Sequence, residues 1–151
     1  MLSAIDVARY FLSLTDDETG DLITNLKLQK LLYYAQGFHL CLYGEPLFLD
    51  RIEAWAHGPV VADVYHAYKE HGSNPIPSEE IDFGIYDAET MDFLNDIYNE
   101  FGQYSAWKLR EMTHEEPPWK NAYKEDVPGI EISHQSLIDY FSQFVEDDNN
   151  K

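Results

Sequence analysis

The sequence predicts a mainly α protein: a single compact helical domain of about six helices with one short β-hairpin. Three observations predict it. Apolar residues recur at helical spacing along most of the chain. Capping residues stand where those patterns begin: Ser3, Thr24, Asp87, Ser105 and Ser133. Period-two alternation is confined to Ile52, Ala54 and Ala56. The 151 residues suit one domain. A chain of this size buries about two thirds of its unfolded surface, so it needs no disulfide or metal staple. The domain is assigned to residues 1–145, with a polar tail over 146–151.

The first helix follows Ser3, with Asp6 three residues on in the place of a capping-box acid. Ile5, Ala8, Tyr10, Phe11 and Leu12 supply its apolar positions, and an acidic turn ends it over Thr15 to Gly20. The second helix is capped by Thr24 and carries Leu28, Leu31, Leu32, Ala35, Phe38, His39 and Leu42 on a broad stripe. Gly44 and Pro46 stop it. So wide an apolar arc places this helix at the centre of the fold. Ile52 to Ala56 reads as a strand, paired in a hairpin with Leu47 to Leu49.

His57-Gly58-Pro59 then reads as a helix start, with Gly58 as cap and Pro59 at the first helical position. Val60, Val61, Val64, Tyr65 and Tyr68 carry that helix to Gly72. Ser73 to Tyr86 is a long surface loop. Asp87 caps a fourth helix bearing Met91, Leu94, Ile97, Tyr98 and Phe101, closed by Gly102. Ser105 caps a fifth through Trp107, Leu109 and Met112. Pro117-Pro118 breaks the chain before a short helix over Trp119 to Lys124. Ser133 caps the last helix, with Ile132 stapling to Leu137, and Ile138, Phe141, Phe144 and Val145 on its buried stripe.

Composition narrows the function. There are 28 acidic and 10 basic residues, for a net charge of −18. Neutralising phosphates takes clustered Lys and Arg, so direct nucleic-acid binding is excluded from the expectations and a basic partner is favoured. Aromatics make up 15%, including 11 Tyr, which suits wet cores and interfaces. The one cysteine, Cys41, rules out an internal disulfide and reads as a small core hydrophobe. Asp6 and Arg9 interrupt the first apolar residues, so no signal peptide is expected, and no segment reaches the roughly 18 apolar residues of a membrane span. A cytoplasmic protein with no membrane partner is expected. The sequence sets no oligomeric state.

Catalytic and metal motifs are missing from the sequence. His66 and His71 lie five apart, not the four that align two ligands on a helix. His114-Glu115-Glu116 has no second histidine at helical spacing. Cys41 and His39 point roughly 200° apart on their helix. No glycine-rich phosphate loop is present. Neither a metal nor a cofactor is expected, and the protein is read as a non-enzyme. Two clusters stand out: Trp55 with His57-Gly58-Pro59, and Leu109 to Trp119 with His114 and Pro117-Pro118. Each sets Trp, His and Pro at an element boundary. They are either core anchors with proline punctuation or a rigid protein-binding surface.

Three blocks carry a resemblance. They are Lys27-Leu-Gln-Lys-Leu-Leu-Tyr-Tyr-Ala-Gln-Gly37, Ile52-Glu-Ala-Trp-Ala-His-Gly-Pro-Val-Val61 with Val64-Tyr65, and Thr113-His114 with Pro118-Trp119. In this order they resemble the Panacea, or SocA-like, domain. The third block departs from the family pattern, with Glu116-Pro117 where a small or polar pair is expected.

The resemblance implies an antitoxin: a small protein that neutralises a co-encoded toxin by direct protein–protein binding. It also implies frequent occurrence in prophages and mobile elements. An alternative it implies is a proteolytic adaptor that delivers the toxin to a protease. The residue reading leaves two other classes open, an enzyme in which His57 and His114 meet an acid in a cleft, and an acidic DNA mimic. The candidate toxin-binding or motif residues are Lys27, Gln29, Lys30, Tyr33 and Gln36, flanking the buried stripe, and Trp55, His57, Gly58, Pro59, His114 and Trp119 at the two clusters. The polar ones either face the partner or hydrogen-bond inward and fix the corner against the second helix.

Overall fold

Ser3 opens α1 (Ala4–Ser13) with a reciprocal capping box, its hydroxyl accepting from the Asp6 N–H at 3.2 Å while the Asp6 carboxylate accepts from the Ser3 N–H at 3.0 Å. The computed structural model describes residues 1–16, 18, 20 and 22–145. The polar tail expected over 146–151 lies outside the described residues, as do parts of the acidic turn after α1.

Thr24 caps α2 (Asn25–Tyr43), and Gly44 ends it in the left-handed conformation at φ 71°. This helix is the centre of the fold, buried on all sides for its first thirteen residues except Leu26, which is half-buried. Its polar residues are therefore inside, whereas a stripe-and-flank pattern would leave them at the edge. Gly37 permits the closest approach to it. A methyl group there would stand 2.3 Å from the Phe141 ring. Gly37→Ala is expected to destabilise the protein by about 2 kcal/mol, since overpacking outweighs the helix propensity gained. Chemical denaturation checks this, and an unchanged or raised midpoint would refute the tight contact.

The next segment corrects the expected hairpin. β1 (Ile52–Trp55) pairs antiparallel with β2 (Gly58–Val60), not with Leu47 to Leu49, through a tight turn at Ala56-His57. Gly58 has φ 114°, which no helix cap of the usual extended kind adopts. Pro59 sits on an edge strand, where a missing N–H is tolerated. So His57-Gly58-Pro59 makes a strand turn, and α3 (Ala62–Tyr68) begins three residues later. The loop at 73–86 contains one short 3-10 turn at Phe83–Ile85.

Asp87 caps α4 (Ala88–Phe101) and Ser105 caps α5 (Ala106–His114), as their side chains predict. Pro117 and Pro118 start α6 (Pro117–Lys120) instead of merely preceding it, because the first helical turn has no use for their N–H groups. A third strand, β3 (Ile130–Ile132), joins the other side of β1, giving the order β2-β1-β3. Ile132 thus ends a strand, and Ser133 caps α7 (His134–Phe141) by accepting from the Ser136 N–H at 3.1 Å. The register sets Glu53 opposite Glu131, and Arg51 reaches both carboxylates, at 3.3 and 3.8 Å.

The architecture among the described residues is mainly α, seven helices with a small antiparallel sheet. α2 contacts α1, α3, α4, α5, α7 and β2. The core runs around it through Phe11, Leu31, Tyr33, Phe48, Leu94, Leu109 and Phe141. No described helix is long and apolar enough to cross a membrane.

Candidate functional site

The polar residues of α2 spend their hydrogen bonds on the backbone of neighbouring segments. The Gln29 carbonyl oxygen accepts from the Val61 N–H at 2.9 Å, and its amide donates to Asn25 at 2.9 Å. Asn25 in turn donates to the Tyr65 carbonyl at 3.1 Å. The Gln36 oxygen accepts from the Leu47 and Phe48 N–H groups, and its amide donates to the Phe48 carbonyl at 2.7 Å. The Lys27 ammonium donates to the Gly102 carbonyl at 2.6 Å. Buried polar groups with such partners fix one arrangement of the segments they join.

Lys30 lies at the corner. It is 0% exposed and donates to the Pro59 carbonyl at 3.1 Å. Among the described residues no carboxylate pairs with it. Burial, with the Arg110 guanidinium adding to it, pulls its pKa down to about 7. Gly58 makes room for it, since a methyl group there would stand 2.6 Å from Lys30 Cε and 2.9 Å from Thr113 Oγ1. Thus the glycine and proline of the turn are both buried against α2.

Outside this corner, His57 is exposed and its Nδ1 accepts from Arg110 Nε at 3.2 Å. Arg110 also lies over the Trp107 ring, 4.5 Å from its centroid, and Trp107 is 58% exposed. His114 is half-buried and stacks on Trp119 with centroids 4.0 Å apart. The Trp119 indole donates to the Trp55 carbonyl at 2.7 Å, which ties α6 to the end of β1. Trp55 is half-buried and meets Tyr65 edge-on. The two Trp-His-Pro clusters are therefore one place in the fold.

The residue that sequence reasoning passed over is Glu116. It is 8% exposed, and its two oxygens accept from the Tyr33 hydroxyl at 2.9 Å and the Tyr34 hydroxyl at 2.8 Å. The Tyr140 hydroxyl also faces it. Burial pushes its pKa up to about 7, against the pull of the three hydroxyls. No lysine, arginine or histidine of the described residues lies within 4.0 Å of the carboxylate. The one sequence signal for it was its departure from the family pattern.

His57 and His114 approach each other around Arg110, a cation that lowers the His114 pKa together with burial, the larger cause. Neither histidine hydrogen-bonds to a carboxylate. His114 hydrogen-bonds to the Ala56 backbone, and its Nε2 is buried without a hydrogen-bond partner. Among the described residues no group of three or more His, Cys, Asp or Glu could hold a metal ion.

The same blocks that build the corner decide the family. The profile described as "Antitoxin SocA-like, Panacea domain" matches residues 28–120. The chain belongs to the SocA-like Panacea family. The Panacea match takes in most of α2, the β1–β2 hairpin, α5 and α6, and leaves α1, β3 and α7 outside it. Antitoxin SocA of Caulobacter vibrioides (strain NA1000 / CB15N) is 32% identical over 109 residues, which cover 64% of this Panacea chain and 58% of that relative. The chain thus matches less than two thirds of the relative's length. No solved structure matches.

Proposed function

We propose that this protein is an antitoxin that neutralises a co-encoded toxin by direct protein–protein binding, without catalysis. Family membership carries the reading. The geometry supports it in one respect. The polar motif residues of α2 are occupied in holding it to the neighbouring segments, so they serve a rigid scaffold, and a rigid scaffold loses little on binding. The net charge of −18 favours a basic toxin and fast, steered association. Trp107 with Arg110 over its ring places two hot-spot residue types on the surface beside His57.

The test is co-expression with each adjacent gene, scored by growth rescue and by purification of the complex. One gene is expected to be toxic alone, rescued by this chain and recovered bound to it. Rescue without a stable complex, and only in cells holding their proteases, would replace sequestration by delivery to a protease. Raising the salt is expected to slow association by about ten-fold or more. A salt-independent rate would remove the steering.

A further inference from the structure

We propose that the aromatic cleft between α2, α4 and α7 is a socket for one basic side chain, arginine or lysine, of the partner protein, with the Glu116 carboxylate as its counter-ion. The inference rests on the antitoxin reading for the existence of a partner, and on the cleft itself for what that partner presents.

The cleft has a volume of about 530 Å³, within the range of small-ligand sites and ample for one long side chain. Its walls are aromatic. Tyr34 and Phe101 stack with centroids 4.0 Å apart, and Phe38, Tyr140, Phe141 and Phe144 continue the surface. Among the described residues its ionisable groups besides the tyrosines are all acids: Glu116 in the interior, and Asp96 and Glu100, both exposed, on α4. No described lysine, arginine or histidine lines it.

That combination has a chemical preference. A carboxylate this deep without a cation is expensive to ionise, and an incoming cation offsets the cost. Three tyrosine hydroxyls, of Tyr33, Tyr34 and Tyr140, act on its two oxygens, which offer about four lone-pair sites between them, so acceptor capacity remains for one incoming donor. Arginine and lysine carry a long apolar stem that suits ring walls and a cationic tip that suits both ring faces and a carboxylate. A hard metal ion asks for several oxygen ligands close together, and among the described residues no group of three or more His, Cys, Asp or Glu could hold one. A second copy of this chain is disfavoured, because two bodies of charge −18 repel. Glu116 also lines a second depression with Lys108, Arg110 and His114, none of them within 4.0 Å of its carboxylate. Tyr140, Phe141 and Phe144 lie beyond residue 120, so part of the socket falls outside the span the family profile matches.

The experiment uses the full chain and n-butylguanidinium as the probe, with n-butylurea as its neutral isostere, followed through the Met112 methyl signal by NMR. The guanidinium is expected to shift Met112 and to bind about ten-fold more tightly than the urea. Glu116→Gln is expected to remove that preference and leave the urea unchanged. The paired surface variant Asp96→Lys/Glu100→Lys, which cannot disturb the core, is expected to weaken the guanidinium in the same direction. Equal binding of the two probes, or a preference that survives both variants, overturns the socket. A second arm uses the toxin. If the wild type rescues growth and both variants bind and rescue equally well, the partner claim fails while the antitoxin reading stands. A guanidinium preference in that case assigns the cleft to a free small cation. If the wild type rescues no neighbouring gene, the antitoxin reading fails, the partner claim falls with it, and the probe titration decides the cleft's chemistry alone.

Discussion

Gly58→Ala is expected to destabilise the fold by about 4 kcal/mol, a large part of the 5–15 kcal/mol typical of a whole domain. Two causes act together. Gly58 sits at φ 114°, where an L side chain strains the backbone by about 1–3 kcal/mol. The added methyl also meets Lys30 Cε at 2.6 Å and Thr113 Oγ1 at 2.9 Å. A flexible lysine tip would normally move aside, but Lys30 is wholly buried and its ammonium is held by the Pro59 carbonyl. Crowding of this sort adds about 1–3 kcal/mol. Denaturant titration measures the sum. Gly58→Ala in a Lys30→Leu background, compared with Lys30→Leu alone, removes the lysine part of the crowding and leaves the backbone strain and the Thr113 contact. A loss below about 1 kcal/mol for the single variant would contradict the packing of the corner.

The second large effect is a pH dependence. The stability of the wild type relative to Lys30→Met is expected to rise with pH between about 7 and 10.5, the folded and unfolded pKa values of this lysine. Below that window the ammonium is charged in both states, and the folded protein bears the full penalty of burying it. Within the window the unfolded chain keeps a proton that the folded protein has released, so raising the pH favours folding. The slope reaches about 1.4 kcal/mol per pH unit, and the whole rise comes to about 3 kcal/mol or more. Glu116 slopes the opposite way as the pH rises from 4.5 to about 7, because its folded pKa is raised, but it is common to both proteins and cancels. Denaturation of the pair across pH 6 to 11 would read the difference, and a constant gap would refute a charged, unpaired Lys30.

Helix ends were legible in the sequence because capping is local chemistry. Ser3, Thr24, Asp87, Ser105 and Ser133 each accept from the N–H that their spacing predicts. The central place of α2 was legible from its width of apolar residues. The sheet was not. Gly58-Pro59 makes equal local sense as a helix start, and only pairing with Ile52–Trp55 decides for a strand. β3 pairs with residues nearly eighty positions earlier, a contact with no local signature. The inward turn of Gln29, Lys30 and Gln36 was one of the two readings the sequence left open, and their partners were not legible, being main-chain atoms of distant segments, which any sequence supplies. Glu116 was hidden for a different reason: acidic residues are mostly solvated, and the three tyrosines that enclose it come from two other helices.

Gln29 and Gln36 stand seven residues apart on α2, close to two full turns, so their amides clasp the 47–48 loop and Val61 along one line of the helix. α2 therefore behaves as a keyed shaft. One residue inserted between the two amides would turn the keys about 100° out of phase, and no rotation or slide of the shaft could engage both again.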